Sequence, residues 1–388
     1  LAMQLLDDLQ DAQAQHADVP YVLGAVILHH QAGQFDVVDG QQRLLTLRMI
    51  LSDTVVTDDK IPDTPVTQVW RELRRRLQKM PGTQLDSLRN FIRTQCQLVR
   101  IETDDVDEAF RVFDSQNYRG KPLAPHDLLK AHHLRAMQGE SAAMKVAVVE
   151  GWESVKDEVL DRLFSTFLYR IARWSRGESA PGFAIHDLGM FKGIAHKPGN
   201  ALSPSERYHL AAQAAAPLLS HWAGAEGHSK RDIERWRFQL DAPLTAGRSF
   251  FEMVSFMQQE LETLEAEVKP VFGRFGPSQG RYRYVHDLFI AALLYYTNKF
   301  GHENLEEARD KLFAWAYALR VERLRVQFAS VDNRACGKGG VRSPFILLRN
   351  SMTGRVVRRL NTTCQPYGDK HEQELVNFLA QQQENYEQ

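Results

Sequence analysis

The spacing of apolar residues changes at Asp39-Gly40, and this change constrains the fold more than any other feature of the chain. Tyr21–His30 and Phe35–Val38 are short apolar runs joined by a loop that contains Gly33, a pattern that predicts a β-hairpin. After Asp39-Gly40, residues 41–53 carry apolar side chains at helical spacing. The segment therefore predicts strand, hairpin, strand, sharp turn and helix.

Helical spacing also covers residues 1–15 and, after Val66, almost all of the remaining chain, including 85–97. We therefore predict an α+β fold that is mostly α-helical. It consists of a small head with a short β-hairpin over residues 1–140 and a helical body over 141–388. A length of 388 residues suits such a two-domain division.

Composition excludes several classes of protein. The 48 Lys and Arg residues balance 49 Asp and Glu, which excludes a protein that is basic overall but not one with local basic patches. The three cysteines lie far apart, so a disulfide scaffold is excluded and the cytoplasm is the expected compartment. No apolar run approaches the ~20 residues of a membrane-spanning helix, so we predict no membrane partner.

The string Asp39-Gly40-Gln41-Gln42-Arg43 lies where the second strand passes into a helix. A helix N-terminus attracts phosphates, and glycine lets the backbone approach a ligand closely. Asp39 is suited to cap the helix or to hold a metal-bound water. Arg43 opposes the helix dipole by roughly 0.3–1 kcal/mol, so its position favours a nearby anion such as a nucleotide phosphate. The alternative is an ordinary capped turn, with Arg43 paired to a surface carboxylate.

A second polar cluster follows a helix that contains Phe110 and Phe113. It brings one amide and two cations into a short loop, at Asn117, Arg119 and Lys121. This combination suits phosphate or a nucleic-acid backbone. Lys130 follows Asp127 by one helical turn and either points the same way or pairs with that carboxylate. The alternative is a connector between two helices with solvated charges.

Residues 320–360 form a basic segment, with ten Arg or Lys against two acidic residues and a local charge of +8. Such a segment can neutralise DNA phosphates. We predict that DNA is contacted by Arg342, Arg355, Arg358 and Arg359. The alternative is a solvated face whose charges are paired with acidic residues elsewhere.

Together these segments resemble the DGQQR-motif family of ParB/sulfiredoxin-like domains. That family includes the S half of the GmrSD type IV (modification-dependent) restriction enzymes and related phage-defence proteins. The matching pieces are Tyr21–Leu28, Val38–Arg43 with Leu45-Thr46-Leu47, and Phe110–Lys130. The last piece fits the family pattern Phe-x-x-x-Asn-x-Arg-Gly-x-x-Leu-x-x-x-Asp-Leu-x-Lys, and the likeness spans roughly residues 1–137.

The resemblance implies a ParB-like head that binds a nucleoside triphosphate and hydrolyses it. By this likeness the catalytic residues are Asp39, Gln42 and Arg43. The nucleotide-binding residues are Gly40, Gln41, Thr46, Asn117, Arg119, Lys121, Asp127 and Lys130. Mg²⁺ is expected at Asp39, where it would neutralise phosphate charge. The implied partners are DNA and a separate nuclease subunit, and a homo-oligomer is compatible with the likeness.

Two departures from the family shape this hypothesis. The family opens with Tyr-Gln-Arg-x-x-x-Trp before its first helix, whereas this chain begins at Leu1 within a helical pattern, so we expect residues upstream. Nuclease-bearing relatives carry a His-Asn-His domain, and His286, His302 and His371 show no such arrangement. We therefore predict the nucleotide-sensing half without the cutting half. Two alternatives stay open: a nucleotide-dependent DNA-binding or regulatory subunit without turnover, and a ParB-like head that nicks DNA.

Overall fold

The chain forms two compact units, residues 1–123 and 124–388. The computed structural model describes residues 2–15, 20–31, 33–52, 65–104, 124–137, 139–195, 201–222, 230–363, 365–368 and 371–387. The sequence-based division after residue 140 places the helix Pro125–Ala136 in the head, whereas this helix lies in the second unit. The reason is packing, because its residue His133 is fully buried and stacks on Phe250 of that unit.

The described part of the first unit contains four helices around a small sheet. The helices are α1 (Ala2–Gln15), α2 (Gln41–Leu51), α3 (Pro65–Gln78) and α4 (Gly82–Thr94). The strands are β1 (Tyr21–Gln31), β2 (Gln34–Asp39) and β3 (Cys96–Thr103). Apolar side chains of all four helices, such as Leu9, Ile50, Leu73 and Phe91, pack into one core.

The sheet has the strand order β2-β1-β3. Strands β1 and β2 pair antiparallel, which confirms the hairpin. Strand β3 is parallel to β1, with Tyr21 opposite Cys96 and His29 opposite Thr103. The predicted helix 85–97 is wrong at its end, because α4 ends at Thr94 and the chain then pairs with a strand some 70 residues earlier. Helical spacing carries no information about that distant partner.

The described part of the second unit consists of helices joined by loops, together with an isolated β-bridge between Ile194 and Thr245. Its α-helices are α5 (Pro125–Ala136), α6 (Ala142–Glu153), α7 (Asp157–Arg162), α8 (Tyr169–Trp174), α9 (Pro204–Trp222), α10 (Lys230–Arg237), α11 (Arg248–Phe272), α12 (Arg283–Phe300), α13 (Leu305–Glu322), α14 (Phe328–Ala335), α15 (Pro344–Arg349) and α16 (Gln373–Glu387). A π-helical turn, Leu163–Leu168, joins α7 to α8. The 3₁₀ turns include Ile185–Met190 and Gly354–Arg359.

Helices α12 and α13 form the centre of this unit. Both are buried on nearly every side, as expected of helices that cross a domain core. No helix in the described residues is both long and apolar enough to cross a lipid bilayer. The structure thus confirms the α+β, mostly helical fold, with its small sheet near the N-terminus followed by a helical body.

Candidate functional site

The whole string from Asp39 to Arg43 lines one cleft in the first unit, with a volume of about 600 Å³. The start of α1, the beginning of β1, the end of β2 and the first turn of α2 form its walls. Besides the motif, the lining includes Asp8, Tyr21 and Thr46. The fold thus brings the first group of predicted site residues together in one place.

Gly40 makes the sharp turn from β2 into α2. Its φ of +88° lies in the left-handed region, and a Cβ atom there would come within 2.9 Å of Val26 Cγ2. Gly40 is also the N-cap residue of α2, and no side chain caps the helix. Asp39 therefore does not act as a side-chain cap. The turn demands glycine for both its backbone conformation and its close approach to β1.

Arg43 is held by the backbone of β1. Its Nη1 donates a hydrogen bond to the Ala25 carbonyl at 2.7 Å, and its guanidinium lies 3.3 Å from where a Cβ of Gly24 would stand. Gly24 sits at an irregularity in the β1–β3 pairing, with a φ of +105°. Gly24 was not among the predicted site residues, although a glycine inside an apolar strand is typical of a bulge or of a close approach.

The Ala25 carbonyl gives Arg43 a protein partner, so the fold itself does not require an anion beside this cation. Arg43 is also one of the residues that line the cleft. The geometry suits a residue that is positioned by one hydrogen bond and recognises a ligand with the others.

The other polar residues of the motif are divided between structure and the open cleft. The Gln41 amide donates to the Val37 carbonyl at 2.6 Å, and the buried Thr46 hydroxyl donates to the Gln42 carbonyl at 2.7 Å. Both side chains therefore help to hold the turn and the helix. Gln42 is exposed, and its side chain makes no hydrogen bond within the described part of the chain.

Asp39 is half-buried in the wall of the cleft, and no described residue forms a hydrogen bond or ion pair with its carboxylate. The described lining carries two carboxylates, Asp8 and Asp39, against the single guanidinium of Arg43. The described lining of the cleft is therefore net negative. No three His, Cys, Asp or Glu side chains converge as a metal centre anywhere in the described ranges.

The predicted second cluster is only partly described. Asn117, Arg119 and Lys121 lie outside the described residues. Asp127 and Lys130 are on α5 in the second unit. There the Lys130 ammonium pairs with Glu153 at 2.9 Å rather than with Asp127.

Two families match this chain. Residues 2–134 match the GmrSD restriction endonuclease, N-terminal domain. Residues 144–375, more than half of the chain, match a family of unknown function, DUF7834. The chain belongs to the DUF7834 family. No curated protein and no solved structure matches it. The N-terminal match confirms the resemblance to the GmrSD type of restriction enzyme and indicates a protein of a phage-defence restriction system.

The basic segment 320–360 of this DUF7834 chain is less positive at its surface than its composition suggests. Arg320 pairs with Glu372 at 2.9 Å and the buried Arg334 pairs with Glu322 at 3.2 Å. Arg358 forms a bidentate pair with Glu307, with both distances 2.7 Å. These three cations are neutralised by carboxylates, two of which lie outside the segment.

The other predicted DNA contacts remain exposed in the DUF7834 region. Arg342, Arg355 and Arg359 have no carboxylate partner among the described residues. The Arg342 guanidinium donates to the Arg359 carbonyl at 3.1 Å, so these two residues lie side by side. Arg355 belongs to the same 3₁₀ turn as Arg359.

Proposed function

We propose that the first unit binds a nucleoside triphosphate with Mg²⁺ in the cleft at Asp39–Arg43 and hydrolyses it. The supporting observation is that all five motif residues line one cleft, where Asp39 presents a carboxylate that no described residue engages. A carboxylate that lines a cleft and has no partner among the described residues is available to a ligand, which favours a ligand-related role.

The charge of the cleft explains why a divalent cation belongs to this proposal. A triphosphate would meet two carboxylates and one guanidinium among the described lining residues, so the cleft alone would repel it. Mg²⁺ is commonly bound through one or two carboxylates together with waters and substrate phosphates, and Asp39 suits that donor set. When bound, Mg²⁺ would neutralise charge on the phosphates.

Each residue of the string then has a distinct part. Arg43, fixed at Ala25, would direct its remaining donors at phosphate oxygens. The first backbone N–H groups of α2, beyond Gly40, would donate hydrogen bonds to a phosphate at the helix N-terminus. The exposed Gln42 amide would orient an attacking water or the sugar. By resemblance, Asn117, Arg119 and Lys121 would supply the rest of the nucleotide site, whereas Asp127 and Lys130 belong to the second unit.

The second unit is proposed to contact DNA through Arg342, Arg355 and Arg359, with cleavage carried out by a separate nuclease subunit. GmrSD is a restriction endonuclease by name, and the match of residues 2–134 to its N-terminal domain supports this role. These exposed guanidinium groups, which have no carboxylate partner among the described residues, support it independently.

Hydrolysis is tested by phosphate release from each nucleoside triphosphate, with and without DNA, in wild type, Asp39→Ala and Asp36→Ala. Asp36 is the matched control, since it is exposed on β2 and does not line the cleft. We expect Asp39→Ala to lower the rate by about 10- to 100-fold, the usual effect of removing a group that orients metal-bound ligands. We expect Asp36→Ala to leave the rate unchanged.

Other outcomes of this assay would support different functions for the first unit. Equal rates in the two variants would overturn the assignment of Asp39. Binding without release would favour a regulatory subunit without turnover. Metal-dependent nicking of DNA that is lost in Asp39→Ala alone would favour the ParB-like nuclease.

A further inference from the structure

The second unit contains a cavity of about 1370 Å³ that no sequence motif predicted. Its walls come from the π-helical turn after α7, the C-terminal end of α11 and the first turn of α12. Single π-helical turns inserted in α-helical segments frequently occur at functional sites. The cavity belongs entirely to the second unit and is separate from the nucleotide cleft.

Charged side chains form the inner wall. Arg162 makes two hydrogen bonds to Glu265, at 2.6 and 3.3 Å, and lies 3.7 Å from Asp287. Arg170 stacks on Phe328, with 4.5 Å from its guanidinium carbon to the ring centre. Its buried Nε has no hydrogen-bond partner in the described part of the chain. Arg162 thus already pairs with these two half-buried carboxylates, whereas the Nε donor of Arg170 is unused among the described residues.

His286 lines the same cavity and is only 8% exposed. Its Nδ1 atom is buried and has no hydrogen-bond partner among the described residues. Burial lowers the pKa of His286 to about 4, so the ring is neutral at pH 7. A buried polar atom without a partner destabilises the fold, and a ligand in the cavity that supplied a partner would remove that cost.

The mouth of the cavity is positive. The lining holds five cationic residues (Arg162, Arg170, Lys269, Arg274 and Arg283) against three carboxylates (Asp161, Glu265 and Asp287). Lys269 and Arg283 are exposed and have no carboxylate partner within the described ranges. Arg283 also begins α12, an 18-residue helix whose N-terminus carries no side-chain cap. A helix N-terminus with adjacent cations attracts anions.

We propose that this cavity is a second ligand site that binds a phosphate-bearing molecule. Its phosphate lies at Arg283, Lys269 and the N-terminus of α12, and the body of the ligand reaches His286 and Arg170. The volume accommodates a nucleotide-sized ligand, since pockets for small molecules usually span ~300–1,000 Å³. The phosphate comes either from a free nucleotide or from a strand of DNA, and both sources share this recognition chemistry.

The test follows the ring signals of His286 by NMR in the full chain, with the resonance assigned through His286→Gln. The probes are pyrophosphate, then ATP, then a ten-nucleotide single strand. We expect pyrophosphate to shift the His286 signals in a saturable manner. Arg283→Gln should weaken this binding about tenfold, as expected for the loss of one charge-assisted contact. Arg281→Gln, two residues away, exposed and not part of the lining, should leave the affinity unchanged.

An unmoved His286 signal at saturating pyrophosphate, or equal losses in Arg281→Gln and Arg283→Gln, would overturn the proposal. Tighter binding of ATP assigns the phosphate to a free nucleotide, and tighter binding of the oligonucleotide assigns it to DNA; both support the site. The variant Asp39→Ala distinguishes binding in this cavity from binding in the nucleotide cleft. We expect the His286 response to survive in that variant even where nucleotide binding by the first unit is lost.

Discussion

At the scale of single residues, two glycines shape the candidate nucleotide cleft. Gly40 turns β2 into α2, and Gly24 leaves the space in which the Arg43 guanidinium lies against β1. The Ala25 carbonyl then fixes that guanidinium. The position of Arg43 in a first helical turn, unfavourable on dipole grounds alone, is thus stabilised by a neighbour that lies 18 residues earlier in sequence.

Substitution of Gly40 tests this geometry. Gly40→Ala should destabilise the first unit by about 2–5 kcal/mol, because the left-handed backbone costs about 1–2 kcal/mol and the contact with Val26 adds about 1–3 kcal/mol of overpacking. Gly33→Ala is the matched control, with a similar φ of +78° but no atom within 4 Å of the added methyl group. Urea unfolding of both variants measures the difference, and equal losses would contradict the role of the Val26 contact.

The motif and its local secondary structure could be predicted from the sequence, but the contacts that the motif residues make could not. The prediction of strand, turn and helix over residues 35–51 is confirmed, because turns and apolar periodicity depend on residues that are close in sequence. The hydrogen bond from Arg43 to Ala25 and the parallel pairing of Cys96–Thr103 with β1 are non-local, so no local pattern reports them. The cavity at His286 joins residues more than 100 positions apart and carries no motif.

At the scale of elements, α5 is fixed within the second unit by His133. Its Nδ1 accepts a hydrogen bond from the Gly247 N–H at 3.1 Å, so its Nε2 carries the proton and donates to the Phe191 carbonyl at 2.9 Å. The ring stacks on Phe250 with 3.7 Å between ring centres. Both nitrogens are satisfied only in the neutral form. Burial, aided by His132, accordingly lowers the pKa of His133 to about 3.

This depressed pKa predicts acid sensitivity of a definite sign. Below pH 6.5 His133 becomes protonated in the unfolded chain, whereas in the folded chain the ring stays neutral until the pH approaches 3. The contribution of His133 to folding stability is therefore complete above pH 6.5 and is lost as the pH falls towards 3. The slope from one such group is about 1.4 kcal/mol per pH unit. In urea unfolding between pH 6 and 4, His133→Asn should lose stability less steeply than wild type by about that amount.

The control for this comparison is His302→Asn, a substitution of an exposed histidine. It should keep the wild-type pH slope. Identical slopes in wild type and His133→Asn would show that His133 is protonated equally in the folded and unfolded chains.

At the scale of the whole molecule, the near-zero net charge hides an uneven distribution. The charge of -1 averages over the whole chain, which includes a candidate nucleotide cleft with a net negative described lining, a positive cavity mouth and a basic segment in which several cations are paired. Arg320, Arg334 and Arg358 are held by Glu372, Glu322 and Glu307. Composition alone therefore overstates the free positive charge of residues 320–360.

The salt dependence of DNA binding tests which cations remain available. The triple variant Arg342→Gln, Arg355→Gln, Arg359→Gln should reduce the slope of log affinity against log salt by about 3, near 0.9 for each lost phosphate contact. Arg358→Gln should change it little, because Glu307 already neutralises that residue. An unchanged slope in the triple variant would show that residues 320–360 form a solvated face that does not contact DNA.

The central claim is that Asp39 helps to bind a Mg²⁺-nucleotide in the cleft. A fluorescence titration with N-methylanthraniloyl nucleotides tests this claim most directly. Without Mg²⁺, Asp39→Ala removes negative charge beside the phosphates and should bind the nucleotide more tightly than wild type. With Mg²⁺, the same variant should bind about 10-fold more weakly. Asp36→Ala should match wild type in both conditions. An Asp39→Ala effect of the same sign with and without Mg²⁺ would contradict the account.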